Sequence, residues 1–184
     1  MDKSRFSFEL VDKYTPDTVI RNTLKQIEEA TSGYVVGNID EYSGPITSYT
    51  KEIGFGAGLS SLHTETIKVN IQEDLGEQNK KNNRFEVYIT VKGLEHYKYR
   101  LMFVDYGTIS YPVTIVMNEE LAVEYSRRRS DKFRIESMKD LEDMMNTVIN
   151  SEVMIKLIQN LINEALRQEA KIESEIEEEN SNDE

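Results

Sequence analysis

The residues with the clearest chemical potential in this 184-residue chain are His63 and Glu65, just after the run Gly54-Phe55-Gly56-Ala57-Gly58. Side chains in a strand alternate between faces, so two residues at this spacing point to the same side. An imidazole beside a carboxylate is half of a general acid/base pair, or half of a metal site. Glycine-rich loops can cradle phosphates, because residues without a Cβ let successive N–H groups approach an anion at a helix N-terminus. Here Gly54, Gly56 and Gly58 alternate, which matches neither the dinucleotide spacing nor the P-loop spacing, and no Gly-Lys-Ser/Thr follows. The second histidine is His96, and no His-Glu-x-x-His run occurs. An exposed histidine at a polar strand end, beside a glycine-rich bend, is the preferred reading. A small-ligand-binding protein or enzyme centred on Gly54, Gly56, Gly58, His63 and Glu65 stands as the alternative.

The second feature is cationic. Arg127, Arg128 and Arg129 are followed closely by Lys132 and Arg134. Three adjacent arginines cannot share one helix face, which suggests a loop or an irregular edge. Guanidinium groups offer a planar fork of donors to a phosphate, a nucleic-acid backbone or an acidic partner. The intramolecular alternative sets the patch against the acidic tail or against Glu136, Asp140, Glu142 and Asp143.

Tyr88, Tyr97, Tyr99, Tyr106 and Tyr111 fall in a strand-rich region. Tyrosine suits a half-buried pleated surface and is also favoured at protein interfaces. Base stacking on such a sheet needs a basic surround, and Tyr97-Lys98-Tyr99-Arg100 is too slight to supply one. No Gly-x-Ser-x-Gly elbow supports serine nucleophile chemistry.

Composition narrows the classes further. The chain has no cysteine, which excludes disulfides, thiolate metal sites and thiol nucleophiles and suits a reducing compartment. No stretch approaches the roughly 20 apolar residues of a membrane span, and no signal-like core follows Met1, so a soluble cytoplasmic protein is expected. Of the net charge of −12, seven units come from the run Glu173 to Glu184, which holds seven acids and no base. The remaining body is ordinarily acidic, which disfavours nucleic acid as a ligand.

The elements that must position these groups follow from periodicity. Phe6, Phe8 and Leu10 alternate as in a half-buried strand. Thr15-Pro16-Asp17 is a helix start, Val19, Ile20, Leu24 and Ile27 form its apolar face, and Gly33 suits a left-handed ending. Strands are expected over Tyr34 to Ile39, Ile46 to Ile53 and Ile67 to Gln72, and from Phe85 to Val91. The last two read as an antiparallel pair. Tyr97 to Tyr106 and Ile109 to Met117 read as another, with Pro112 at an edge, a bulge or a strand start. Glu119 to Tyr125 reads equally as the start of a helix or as an edge strand. Ser137 with Asp140 resembles a capping box ahead of Met138, Leu141, Met145 and Val148. Asn150-Ser151-Glu152 breaks that helix and starts another, whose stripe from Met154 to Leu166 is wider than one sheet needs.

These features predict an α+β fold: an antiparallel sheet of about five strands with one N-terminal helix and two C-terminal helices packed on it. Residues 1–170 form the domain, and 171–184 an acidic, frayed or disordered tail. The expected function is a non-enzymatic protein–protein binding, adaptor or regulatory protein, of inhibitor type in one form. It takes no cofactor or metal and binds neither nucleic acid nor membrane. Its protein partner meets Arg127, Arg128, Arg129, Lys132 and Arg134, and the 152–166 helix offers a surface for homo-oligomerisation.

Overall fold

The computed structural model describes residues 11–46, 83–94, 97–127 and 130–182, apart from the side chains at 173 and 175–182. The expected α+β fold is present. Helix α1 (Pro16–Ala30) is followed by strands β1 (Val35–Glu41), β2 (Asn83–Val91), β3 (Tyr99–Tyr106) and β4 (Val113–Met117), helix α2 (Glu119–Ser126), strand β5 (Lys132–Ile135), and helices α3 (Met138–Ile149) and α4 (Glu152–Asn182). The five strands form one sheet in sequence order, every neighbouring pair antiparallel.

Helix α1 begins with Pro16, whose missing N–H costs nothing in the first turn, and buries Val19, Ile20, Leu24 and Ile27. Thr15 occupies the N-cap, but its hydroxyl lies 3.0 Å from that of Thr18 rather than on a backbone N–H. The helix closes with Gly33 N–H donating to Glu28 O at 2.8 Å and Ser32 N–H to Glu29 O at 3.3 Å. Both Ser32 (φ 51°) and Gly33 (φ 80°) are left-handed, so the turn expected of Gly33 starts one residue earlier. Helix α1 lies so close to β1 that a Cβ on Gly37 would come 2.7 Å from Leu24 Cβ.

Strand β2 has β1 on one side and β3 on the other. Val35–Glu41 takes the place beside β2. Ile67 to Gln72, expected there from sequence, lies outside the described residues, as do Phe6–Leu10 and all of Ile46–Ile53 except Ile46. Pro112 stands immediately before β4, after a cis Tyr111–Pro112 peptide. The segment left open by the sequence becomes helix α2 followed by the edge strand β5. Asn118 caps α2 by accepting Glu120 N–H at 3.1 Å.

Alternation along the strands sends Val35, Ile39, Val87, Ile89, Val104, Val113 and Ile115 into one hydrophobic cluster with residues of all four helices. Leu121 and Ala122 of α2, Leu141, Met144 and Met145 of α3, and Met154, Leu161 and Ala165 of α4 complete it. Ser137 Oγ accepts Asp140 N–H at 3.2 Å at the start of α3, as its spacing predicts. Ser151 Oγ accepts Met154 N–H at 3.2 Å at the start of α4. Among the described residues, no helix is long and apolar enough to cross a membrane.

Among the described residues, a hydroxyl meets the outward backbone at one point on each terminal strand of the sheet. Lys92 N–H donates to Tyr34 O and Tyr42 N–H to Arg84 O, so the backbone N–H and C=O groups of the even-numbered residues of β1 point to β2 and those of Val35 point away from the sheet. The Thr31 hydroxyl accepts the Val35 N–H at 3.1 Å and lies 3.2 Å from its carbonyl. On β5, Ser130 Oγ donates to the outward Lys132 carbonyl at 3.2 Å.

Candidate functional site

The face of the sheet turned away from the hydrophobic cluster gathers groups from all five described strands and the turn before β3. Strand registers align them in rows. Asp40, Glu86, Phe103, Val116 and Lys132 follow one another across the sheet, and beside them run Arg84, Asp105, Thr114 and Arg134. Asn38, Tyr88 and Arg100 form a third row.

Arg100 reaches this face because of a bulge. The β2–β3 register shifts between Val87, opposite Met102, and Tyr88, opposite Arg100, leaving Leu101 as an extra residue. Leu101 and Met102 are both buried in the core, and strict alternation resumes on either side. Without that extra residue, Arg100 would point to the core side; bulges re-aim side chains in this way.

Glu86 is the centre of the site. Its side chain keeps only 11% of its exposure, yet it is ionically satisfied. Arg100 Nε and Nη2 donate to its Oε2 at 3.1 and 2.9 Å, and Lys98 Nζ donates to Oε1. Burial pushes the Glu86 carboxyl up, but the hydrogen bonds and charges of Lys98 and Arg100 outweigh it and hold the group below its ordinary value. The cations also cover aromatic rings: Lys98 Nζ sits 3.7 Å from the Tyr88 centroid, and Arg100 4.7 Å from that of Phe103. Tyr42 leans on Phe103 with centroids 4.7 Å apart.

Asp40 stands directly opposite Glu86, an unfavourable like-charge pair relieved by separate partners. Tyr88 OH donates to Asp40 Oδ2 at 2.5 Å. That hydrogen bond, with burial and the charges of Asp40 and Glu86, pushes the Tyr88 phenol up to about 12. Arg84 Nη2 meets Asp105 Oδ2 at 3.1 Å and its Nη1 donates to Gly44 O at 3.2 Å, while its Nε is buried without a partner.

The basic segment singled out in the sequence is only partly brought together. Lys132 and Arg134 stand side by side on the open face of β5, both exposed. Arg134 Nε donates to Glu136 Oε1 at 2.9 Å, the one intramolecular neutralisation of the kind weighed from sequence among the described residues. Arg127 is the left-handed C-cap of α2 (φ 53°), exposed, on a different element. Arg128 and Arg129 lie outside the described residues, as do Gly54, Gly56, Gly58, His63, Glu65 and His96.

Arg84 was not singled out from sequence, and Lys98 and Arg100 were weighed only as a surround for base stacking and set aside. Arg84 had a usable signal, since it alternates with Phe85 and Val87 and must face away from them. Arg100 had none, because its face depends on the bulge. A shallow, open depression at the end of α1, lined by Lys25, Glu28, Glu29, Ser32 and Gly33, joins none of the sequence candidates. Among the described residues no three metal-ligating side chains are grouped.

No family model, curated protein or solved structure matches this chain. The chemistry of the open face therefore rests on its own residues. Five cations (Arg84, Lys98, Arg100, Lys132 and Arg134) stand against four carboxylates (Asp40, Glu86, Asp105 and, bound to Arg134, Glu136), in a chain whose net charge is −12. The half-buried rings of Phe103 and Tyr42 and the buried Val116 lie among them. Among the described residues this face therefore combines a central ion-paired carboxylate, Glu86, with neighbouring aromatic rings and further charges at its rim.

Proposed function

We propose that the chain is a non-enzymatic protein-binding protein of the cytoplasm, an adaptor or regulator that holds an acidic protein partner on the open face of its sheet. The observation that supports this most is the shared face of Lys132 and Arg134 with Arg84, Lys98 and Arg100 around the Phe103 ring. Neighbouring aromatic and arginine side chains at a desolvated centre are the usual energetic anchors of an interface. The carboxylates among the cations, and the net charge of −12, favour a protein partner over a nucleic acid. The absence of cysteine favours the cytoplasm. The reading includes self-association through the 152–166 helix, where Ile155 and Leu166 are exposed.

The test is differential capture from the host lysate. Wild-type protein and the double variant Lys132→Glu/Arg134→Glu are compared at equal loading and at physiological salt. An acidic protein should be retained by the wild type and lost by at least about tenfold from the variant, since opposed rim charges govern encounter and register. Equal capture by both would remove the sheet face from the function.

A further inference from the structure

We infer that Arg100 is the anchor for the acidic partner: the free edge of its guanidinium takes a side-chain carboxylate of that protein, and Glu86 is the residue that positions it. The inference rests on the proposed function and names the residue that carries recognition.

A bulge aims Arg100. Leu101 is the extra residue of the β2–β3 pairing, and without it Arg100 would lie on the core side. On the open face the guanidinium is fixed from two directions. Its Nε and Nη2 donate to Glu86 Oε2 at 3.1 and 2.9 Å. Its central carbon lies 4.7 Å from the Phe103 ring centroid and 5.8 Å from that of Tyr42. Lys98 holds the other oxygen of Glu86, so the supporting carboxylate is itself fixed. A side chain held in this way loses little rotamer freedom when a ligand arrives.

The bond to Glu86 uses one side of the guanidinium and leaves the other. Nη1 has no acceptor among the described residues, and the side chain remains 47% exposed with both bonds made. The Nη1–Nη2 edge is the fork that grips both oxygens of a carboxylate. Lys98 and Arg100 share the one carboxylate of Glu86, so this ion cluster keeps a positive charge. Asp40, the opposing charge across from Glu86, accepts the Tyr88 phenol.

No other cation of the face combines a free fork with fixed support. Arg84 is half-buried and donates through Nη1 to Gly44 O and through Nη2 to Asp105. Arg134 keeps a free edge, but its partner Glu136 is itself exposed and no ring backs it among the described residues. Lys98 and Lys132 carry ammonium groups, point charges without a planar fork. Lys132 and Arg134 thus serve as the steering rim, and Arg100 as the anchor.

The test titrates the nitrogen-15-labelled full chain, near neutral pH and at low salt, with a capped Glu-Ser-Glu-Ser-Glu peptide. The expected result is a saturable shift of the Arg100 Nε–H signal, absent with the matched Gln-Ser-Gln-Ser-Gln peptide. Arg100→Lys keeps the charge and loses the fork, and should weaken binding at least about tenfold. Glu86→Gln separates positioning from charge. It makes the face more positive, which by charge alone would tighten binding, whereas a lost positioning contact weakens it. Tighter binding by Glu86→Gln, or unchanged binding by Arg100→Lys, would overturn the inference. So would a wild-type Arg100 signal that never moves, a readout that needs no variant to fold. Stronger binding of inorganic phosphate at the same signal would give the edge to a phosphate-bearing ligand and overturn the carboxylate assignment. The proposed function falls separately, on the capture test with Lys132→Glu/Arg134→Glu, in which Arg100 is untouched.

Discussion

The carboxylate of Glu124 closes the N-terminus of α4, one oxygen accepting the Glu152 N–H at 2.9 Å and the other the Val153 N–H at 3.0 Å. The first N–H groups of a helix have no partner within it and carry partial positive charge, so a carboxylate from another element is doubly favourable there. Ser151 Oγ takes the next N–H, that of Met154. The bond therefore ties α2 to the longest helix of the chain. Replacing Glu124 with alanine should lower stability by about 1–2 kcal/mol, with Glu124→Gln losing less because it keeps one acceptor oxygen. Urea unfolding followed by circular dichroism measures both; an unshifted midpoint for Glu124→Ala would show that water replaces the cap at no cost.

Glu86 gives the fold a dependence on acid. Its folded carboxyl titrates below its unfolded value, so its contribution is present above the unfolded value and is lost as pH falls through the folded one. Glu86→Gln should cost about 1–2 kcal/mol at neutral pH, because Lys98 and Arg100 lose their counter-charge but are themselves partly exposed. The same variant should flatten the acid limb of the stability curve. A variant whose acid limb superimposes on that of the wild type would show that other carboxylates control it.

Tyrosines govern the alkaline limb with the opposite sign. The Tyr88 phenol is raised to about 12 by its bond to Asp40 and by burial, and that of Tyr111 to about 12 by burial and nearby carboxylates. A folded-state value raised above the unfolded one leaves stability fully present below the unfolded value, near 10, and removes it as pH rises towards 12. Tyrosinate absorbance should therefore develop in two stages, the later one coinciding with loss of circular dichroism. Tyr88→Phe should remove one late-titrating group. Complete ionisation before any unfolding would contradict this.

Gly37 is held small by Leu24. Gly37→Ala places a methyl 2.7 Å from Leu24 Cβ and should cost about 1–3 kcal/mol by forcing α1 away from β1. Combining it with Leu24→Ala should cost less than the two separate losses together, since both act on one contact. Strict additivity in a thermodynamic cycle would show that the crowding is relieved elsewhere.

Much of this was legible in the residues. The faces of α1 and α3, the break at Asn150–Ser151 and the position of Pro112 follow from local signals that need no distant partner. Glu119 to Tyr125 was not legible. Its apolar residues fit either period, and the choice came from Asn118 capping the helix and from Leu121 and Ala122 entering the core. The basic segment was visible as composition, but the division between Lys132 and Arg134 on β5 and Arg127 on α2 was not.

The amino-acid sequence by itself determined the local periods: which residues of α1 and α3 turn inward, where the break at Asn150–Ser151 falls, and that most of the net negative charge lies in the tail. These depend on interactions within a few residues along the chain, which the order of side chains specifies directly. Only the tertiary structure decided that Val35–Glu41 pairs with Asn83–Val91, and that the Leu101 bulge turns Arg100 towards Glu86. Register between strands more than 40 residues apart, and one extra residue that reverses a face, are set by the packing of the whole core against α1. No local pattern carries that information.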